Sequence, residues 1–469
     1  KYSHFLQSAC AGFLLPLLKS EQTHCTRVGL MRRAREIDVR VTCDICATSL
    51  FVESWFCSEC GRELCRLCHD ECIEVKATRV FHATTTMFSL QTLCPCGKPK
   101  EYLLPMTRFQ EEELKEAIEN MLQFETQDAH EYVSCLPVSF WKDLMMVHHS
   151  KPSISQTRTA ITTSCTLPVH EFAQLWNRGE PVVVTDTRRV FQGNWTPDYF
   201  IKTFGSDAVH LVDCETEKEK RVTVADFFRG FDSHREDQTI YKLKDWPPTK
   251  NFEDKFRTLY KAFEAGSPFR DFTCPNGIFN LTAHFPSSEV SPDLGPKLYC
   301  AFGTKQDDKH NGSTRLHLDV TDAFNLMLYA ADTPTGDPGG ALWHIFAGED
   351  SEKLRSFITG QSSPCLGDPI HNQSTYLTPE MLDVLAEQHN VRPYTIHQRP
   401  WQAVFIPAGC AHQVSNQTDS IKIACDFLSV ENLAASCHLA NELRRQRLVR
   451  GFGEDVLQVP TCLWYAWSS

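Results

Sequence analysis

Short apolar segments alternate with turns along most of the chain, from about residue 167 onward. Apolar runs of strand length predict strands at 182–185, 210–212, 240–243 and 323–330. Many short strands in one region are typical of two sheets packed face to face. We therefore predict a mainly β fold, a double-sheet barrel with helical decoration.

Apolar residues at helical spacing predict elements of a second kind. The segment 110–124 is one, because Leu114, Ile118 and Met121 form a stripe and glutamates fill its first turn, where they complement the helix dipole. Shorter helices are expected at 172–176, 197–204 and 224–231, and a helical stripe covers 433–443. Residues 1–40 are mixed, and Pro16 opposes a helix interior there.

These patterns divide the chain into successive regions. We predict an N-terminal segment at 1–40, a Cys-rich module at 41–100, a helical connector at 101–149, a linker at 150–164, a barrel domain with an N-terminal extension at 165–450 and a tail at 451–469. The linker is rich in Ser and Thr and shows no periodicity. A length of 469 residues fits two or three domains.

The charge of the chain restricts the partners it can take. The formal net charge of −12 argues against direct binding of DNA phosphates by the whole chain and suits a basic peptide. No apolar run approaches the roughly 20 residues that a membrane span needs. The chain starts at Lys1 without an initiator methionine, as a piece of a longer polypeptide would.

Cysteines crowd the N-terminal part in regular pairs. Three C-x-x-C pairs follow one another closely, and each can present two thiolates to one tetrahedral Zn²⁺. Their members are Cys43, Cys46, Cys57, Cys60, Cys65 and Cys68. Three pairs with further ligands would hold two ions, and the candidates for those ligands are Cys72, His82 and the pair Cys94 and Cys96. The alternative is a disulfide-rich secreted module, but adjacent partners make poor long-loop crosslinks and no secretory signal is apparent.

A histidine and an aspartate two residues apart form the second candidate metal site. Residues i and i+2 of a strand point to the same side, so His317 and Asp319 can hold one ion from one face. A Pro-Ala-Gly turn then delivers His412 to a later strand. Two imidazoles and one carboxylate form the facial triad of non-haem Fe(II) oxygenases, which leaves three positions open. The sequence therefore predicts an iron enzyme.

The segment from about 167 to 448 resembles the JmjC domain of lysine demethylases. It is most similar to the subfamily that acts on lysine 9 of histone H3 and that includes the hairless-type corepressors. The matching stretches are KLKDWPP at 242–248, PDLGPK at 292–297, LHLDV at 316–320, GALWHIF at 340–346 and FIPAG at 405–409. The upstream cysteine pairs, with Cys94 and Cys96 after them, are similar to the zinc finger of that subfamily.

The resemblance implies a double-stranded β-helix barrel, a nuclear chromatin regulator and a specific chemistry. His317, Asp319 and His412 would bind Fe(II), and 2-oxoglutarate would be the co-substrate. A lysine N-methyl group would be hydroxylated and released as formaldehyde, with the histone H3 tail, mono- or dimethylated at lysine 9, as the expected substrate. Chromatin or transcription-factor complexes are possible partners, and direct DNA binding is left open.

The distal carboxylate of 2-oxoglutarate needs a cation or hydroxyl donors. Lys422 is the candidate cation, because strand alternation turns it away from Ile421 and Ile423 and a cation buried without a partner is costly. A solvated lysine is the alternative. Thr314 is a candidate hydroxyl donor and Asn325 a candidate amide of the pocket, and both can equally be structural.

Two other classes of function are compatible with these residues. A JmjC oxygenase that hydroxylates a protein side chain would handle iron and 2-oxoglutarate in the same way and differ only in its product. A chromatin-binding scaffold would use the zinc module and need little turnover. Retention of the three triad residues argues against the scaffold.

Overall fold

A computed structural model describes residues 2–77, 102–131, 158–231, 239–304, 312–361, 366–451 and 453–469. The chain forms two compact units. Unit 1 consists of Lys1–Leu144, His284–Asp293 and Ala440–Ser469, and unit 2 of Met145–Ala283 and Leu294–Leu439. The sequence boundaries differ from this division, because residues 284–293 and 440–450 group with the N-terminal segments.

Unit 1 is built on a small sheet flanked by helices. The sheet has the strand order β1-β4-β2-β3 and consists of β1 (Met31–Arg32), β2 (Ser54–Cys57), β3 (Glu63–Cys65) and β4 (Leu103–Thr107). The helices of this unit are α1 (Tyr2–His24), α2 (Arg66–Ala77), α3 (Glu111–Glu131), α13 (Val459–Ser468) and the end of α12 (Leu433–Arg450), from Ala440 onward. The predicted helices at 110–124 and 433–443 are confirmed.

Helix α1 runs through Pro16, where the sequence pattern opposes a helix. Pro16 itself is exposed, whereas Leu14, Leu15 and Leu18 are buried. The helix packs against α3 and α13. A proline inside a helix costs about 3 kcal/mol, and burial of each leucine stabilises the fold by about 1.5–3 kcal/mol, so tertiary packing outweighs the local preference.

The main sheet of unit 2 has the order β5-β6-β15-β12-β17-β10-β9-β7-β8. Its strands are β5 (Ile161–Ser164), β6 (Val182–Thr185), β7 (Ala208–Asp213), β8 (Glu219–Thr223), β9 (Tyr241–Trp246), β10 (Lys297–Ala301), β12 (Asp322–Ala330), β15 (Ala403–Ile406) and β17 (Ser420–Phe427). The four strands predicted from apolar runs are present. The predicted linker is wrong at its end, because residues 161–164 pair in parallel with β6.

A second sheet lies opposite the first within unit 2. It has the order β11-β16-β13-β14 and consists of β11 (Thr314–His317), β13 (Ala341–Ile345), β14 (Tyr394–Gln398) and β16 (His412–Asn416). A core between the sheets joins Met327 and Ile406 of the first to Trp343 and Val414 of the second. The predicted double-sheet β fold is confirmed.

Helices cover the outer face of the main sheet with an aromatic core, in which Phe172 and Phe263 pack with Phe324 and Phe405. The α-helices of unit 2 are α4 (Val169–Trp176), α5 (Pro197–Phe204), α6 (Val224–Arg229), α7 (Phe252–Lys255), α8 (Arg257–Gly266), α9 (Arg270–Thr273), α10 (Ser351–Gln361), α11 (Pro379–Gln388) and the start of α12. The three short helices predicted from sequence are confirmed as α4, α5 and α6. None of the described helices combines the length and apolarity needed to cross a membrane.

Candidate active site

Two paired strands bring the histidines of the predicted triad together. His317 ends β11 and His412 begins β16, and the antiparallel register places the two residues opposite each other. Directly opposed residues on one face of a sheet are close neighbours. The imidazole ring centroids are accordingly 4.1 Å apart.

The carboxylate of Asp319 lies between the two imidazoles. Its oxygens are 3.7 Å from Nε2 of His317 and 3.5 Å from Nε2 of His412. Ligands that bind one ion at about 2.1 Å and at right angles are about 3 Å apart, so small side-chain shifts would place all three on a metal. The donor set is that of the facial triad, and it fits Fe(II).

The backbone sets the protonation of both imidazoles. Nδ1 of His317 donates to the carbonyl of Arg315 at 2.9 Å, and Nδ1 of His412 donates to the carbonyl of Cys410 at 3.0 Å. Each Nε2 is therefore left with its lone pair directed at the site. Burial, together with the neighbouring His317, lowers the pKa of His412 to about 4. The His412 ring is neutral at physiological pH, as metal binding requires.

A cavity of about 180 Å³ opens beside the triad. Lys422 lines it and is only 5% exposed. The β17 register explains this orientation, because Ile421, Ile423 and Cys425 enter the aromatic core while the residues between them face the cavity. Strand alternation therefore does turn Lys422 away from its apolar neighbours.

The ammonium group of Lys422 has a neutral partner and an aromatic wall. It donates to Oδ1 of Asn416 at 2.6 Å and lies 5.3 Å from the centre of the Trp343 ring. Burial lowers its pKa to about 7, with no offset from a charged group among the described residues. A cation held in this way fits the carboxylate of a bound anion.

Thr314 and Asn325 line the same cavity. Thr314 stands opposite Val414 in the β11–β16 pair and is half-buried. The Asn325 Oδ1 is buried and accepts no hydrogen bond from the described residues. An amide oriented in this way is available to a ligand, so the structure groups the three co-substrate candidates with the triad.

The cavity also carries acidic groups, which sequence reasoning missed, although Lys242 and Lys244 line it as well. Asp426 lines the cavity, and Tyr299 donates its hydroxyl to Asp245 at 2.7 Å. Burial raises the pKa of the Tyr299 phenol well above its usual value, and the negative charges of Asp245, Asp426 and Asp319 raise it further. The phenol therefore stays protonated among three carboxylates.

Asp322 is a second residue that sequence reasoning missed. It is fully buried at the start of β12, and burial raises its pKa to about 6. Its carboxylate accepts hydrogen bonds from the backbone N–H of Ala408, the amide of Asn432, the hydroxyl of Ser429 and the indole of Trp176. The bond to Ala408 fixes the Pro-Ala-Gly turn that leads to His412, so Asp322 helps to position His412 without contacting it.

A second group of possible metal ligands lies in unit 1. Cys43, Cys46, Cys65 and Cys68 converge, with their sulfur atoms within 4.8 Å of one another. The sulfurs of Cys46 and Cys65 are 3.7 Å apart, close to the about 3.8 Å expected for two thiolates on one tetrahedral Zn²⁺. Neighbouring thiols donate to the Cys46 sulfur and lower its pKa. The donor set fits zinc.

The first and third cysteine pairs share this site, and the middle pair lies elsewhere. Cys57 and Cys60 nevertheless adopt the same turn as the first pair. The N–H of Ala47 donates to the carbonyl of Cys43 at 2.8 Å, and the N–H of Gly61 donates to that of Cys57 at 2.9 Å. Ala47 and Gly61 both have positive φ. Cys94, Cys96 and His82 lie outside the described residues, as does the side chain of Cys72.

Comparison with known proteins agrees with this geometry. The family described as "JmjC domain, hydroxylase" matches residues 310–427. Lysine-specific demethylase 3A of Homo sapiens is 35% identical over 340 residues, which cover 63% of this chain and 26% of that protein. Lysine-specific demethylase 3 of Drosophila melanogaster is 32% identical over 342 residues, or 63% of this chain and 40% of that protein.

A more distant relative has the same domain in its name. The probable JmjC domain-containing histone demethylation protein 2C of Homo sapiens is 30% identical over 339 residues, again 63% of this chain but 13% of that protein. The match thus spans between about an eighth and two fifths of the length of the three proteins named above. Family match, triad and barrel agree: residues 310–427 form a JmjC domain, and the chain around it is similar to the lysine-specific demethylases of the 3A type.

Proposed function

We propose that this chain is an Fe(II)- and 2-oxoglutarate-dependent dioxygenase that demethylates lysine on a histone tail. The expected substrate is lysine 9 of histone H3 in its mono- or dimethylated form. His317, Asp319 and His412 would hold iron, and Lys422, Thr314 and Asn325 would hold the co-substrate.

The main support for this proposal is the arrangement of charged groups around the cavity. Lys422 supplies a buried positive charge, which suits a dicarboxylate. Among the residues that line the cavity, Asp426 supplies negative charge and Tyr299 binds a second carboxylate, that of Asp245, and both carboxylates suit an ammonium group. Of the two further lysines at the cavity, Lys242 donates to the carbonyl of Ser313. One cavity with the triad and both charges can therefore take an anionic co-substrate and a cationic side chain together.

The acidic groups also favour particular methylation states. Mono- and dimethylammonium groups keep an N–H that a carboxylate can accept, whereas trimethylammonium has none. Asp426 would thus orient a methyl group by holding the nitrogen, and Tyr299 would keep Asp245 in place beside it. The lower methylation states are the better substrates on this argument.

The side chains of the site would then have different roles in the reaction. The two imidazoles and Asp319 leave adjacent metal positions open, and Lys422 orients the keto acid. Bound iron with O₂ and 2-oxoglutarate supplies the oxidant that hydroxylates the N-methyl group, and the product breaks down to formaldehyde and the less methylated amine. Asp322 keeps the His412 turn rigid.

Histone peptides methylated at different lysines test the proposal. The protein is incubated with Fe(II), 2-oxoglutarate and ascorbate, and peptide mass, formaldehyde and succinate are measured. Loss of one CH₂ per turnover from the H3 lysine 9 peptide, with equal formaldehyde, supports demethylation. Gain of one oxygen without formaldehyde identifies a protein hydroxylase, and succinate-free reactions with every peptide identify a binding scaffold.

The zinc sites and the cellular setting belong to the same proposal. Cys43, Cys46, Cys65 and Cys68 would bind one Zn²⁺. The equivalent turn at Cys57 supports a second ion on Cys57, Cys60, Cys94 and Cys96. A chain that acts on histone tails works in the nucleus, within chromatin or transcription-factor complexes. Elemental analysis of the purified chain should give two zinc ions per molecule.

A further inference from the structure

Two buried arginines lie in the last turns of α12. Arg444 is 4% exposed and Arg447 is 7% exposed. Residues three apart share one face of a helix. A buried guanidinium is costly unless it is paired and hydrogen-bonded, so both side chains need partners in unit 1.

Arg444 reaches a sulfur of the cysteine cluster. Its Nη2 donates to Sγ of Cys68 at 3.1 Å. The same guanidinium forms two bonds to the carboxylate of Glu71, at 2.9 Å and 2.7 Å. This paired geometry fixes the plane of the guanidinium, and one N–H is directed at the thiolate.

Arg447 holds the other side of the cluster. Its Nε donates to the carbonyl of Cys46 at 2.9 Å, and its Nη2 donates to Oγ1 of Thr48 at 3.0 Å. The Thr48 hydroxyl is 3.2 Å from Sγ of Cys46. Arg447 therefore stabilises the first cysteine turn. It does so through the backbone carbonyl of Cys46 and through the Thr48 hydroxyl, which lies next to the Cys46 sulfur.

We infer that Arg444 and Arg447 complete the zinc site, with α12 supplying its second layer of contacts. The inference rests on the zinc site proposed above. Four thiolates on one Zn²⁺ leave excess negative charge, which the buried guanidinium groups offset in part, with Arg444 shared between Cys68 and Glu71. The bond from Arg444 also withdraws electron density from the Cys68 sulfur, which lowers the reactivity of that thiolate, and it holds the sulfur in place, which favours retention of the metal.

Exchange of Arg444 for glutamine in the full chain tests this role. Arg445→Gln is the matched control, because Arg445 is the next residue on the same helix and is exposed. Zinc release to a chelating dye should be on the order of tenfold faster in R444Q than in wild type, as for loss of an outer-layer partner. R445Q should match wild type.

Alkylation with iodoacetamide, mapped by mass spectrometry, separates this role from general stability. In R444Q, Cys68 should react before Cys43, Cys46 and Cys65, because it alone loses the N–H donor. Arg444→Lys keeps a charge and a donor and should restore part of the protection. A wild-type release rate in R444Q, or equal acceleration at all four cysteines, overturns the inference.

A third substitution covers the case in which R444Q does not fold. Glu71→Gln alters a half-exposed residue and leaves the arginine in place, but it weakens the contact that orients the guanidinium. Preferential alkylation of Cys68 is again expected, and its absence contradicts the inference. A wild-type chain that contains no zinc would instead refute the zinc site itself.

Discussion

The two candidate metal sites of this chain differ in how many ligands they offer and in how exposed those ligands are. The triad offers three ligands, and its carboxylate, Asp319, is 34% exposed beside a cavity. The cysteine cluster offers four ligands, and Cys43, Cys46 and Cys68 are buried. A metal ion with an open coordination position is typical of a catalytic site, whereas one with four protein ligands is typical of a structural site. On the proposed function, one site would serve catalysis and the other would stabilise the fold.

Removal of an iron ligand should have the largest effect. His317→Ala is expected to lower formaldehyde release on the order of a thousandfold or more, because the metal loses one of three ligands. Zinc content, measured by elemental analysis, should not change. His397→Ala removes an exposed histidine and serves as the control. Equal loss of zinc and iron in H317A would contradict the separation of the two centres.

Removal of a zinc ligand should act on stability. Cys65→Ser is expected to release the ion and to lower the free energy of unfolding by more than about 4 kcal/mol, the range in which loss of a structural metal falls. Thermal unfolding and zinc analysis measure both. Cys165→Ser, outside the cluster, should keep its metal. A C65S variant as stable as wild type would show that the cluster needs no ion.

Lys422→Met should impair co-substrate binding. Loss of the buried cation is expected to raise KM for 2-oxoglutarate by about a hundredfold, because a hydrogen bond between charged groups contributes about 1.5–3 kcal/mol. Lys202→Met, on the exposed face of α5, is the control. If KM stays constant and only kcat falls, Lys422 does not bind the dicarboxylate.

Asp426→Asn should change the selectivity between dimethylated and trimethylated peptides more than the overall rate of turnover. Neutralising this group is expected to reduce turnover of a dimethylated peptide by about tenfold. Trimethylated peptide, which has no N–H to donate, should be less affected. The ratio of kcat/KM for the two peptides measures this, with Asp332→Asn as an exposed control. An unchanged ratio would remove Asp426 from substrate recognition.

The smallest expected effect is a pH dependence. Burial lowers the pKa of Lys422 to about 7, so the free protein loses this positive charge as the pH rises through that value. The dianionic co-substrate requires the protonated form, and KM for 2-oxoglutarate should therefore rise severalfold between pH 7 and pH 8. Steady-state kinetics in Lys422→Met should show no such slope. A slope that persists there belongs to another group.

Sequence pattern predicted the features that depend on local spacing. Strand alternation placed Lys422 on the cavity face, and the His-x-Asp spacing brought His317 and Asp319 together, although β11 ends at His317 and Asp319 follows it outside the strand. The first and third cysteine pairs converge on one site because of the way β3 packs against the turn at Cys43. The spacing of the cysteines along the chain does not determine this. Asp322 and Arg444 act on partners far away in the chain, so no local pattern could reveal them.

Tertiary context also reversed two local expectations. Pro16 lies inside a helix because the leucines around it are buried, and residues 161–164 become a strand because β6 offers them an edge. Neither outcome can be read from a window of a few residues. Both depend on surfaces that exist only after the rest of the chain has folded.

Unit 1 draws its parts from both ends of the chain, Lys1–Leu144 and Ala440–Ser469. During translation the cysteines are synthesised first, and Arg444 follows several hundred residues later. During that interval the nascent thiolates have no guanidinium beside them. On the proposed zinc site, we expect Cys68 to be most reactive before Arg444 has been synthesised.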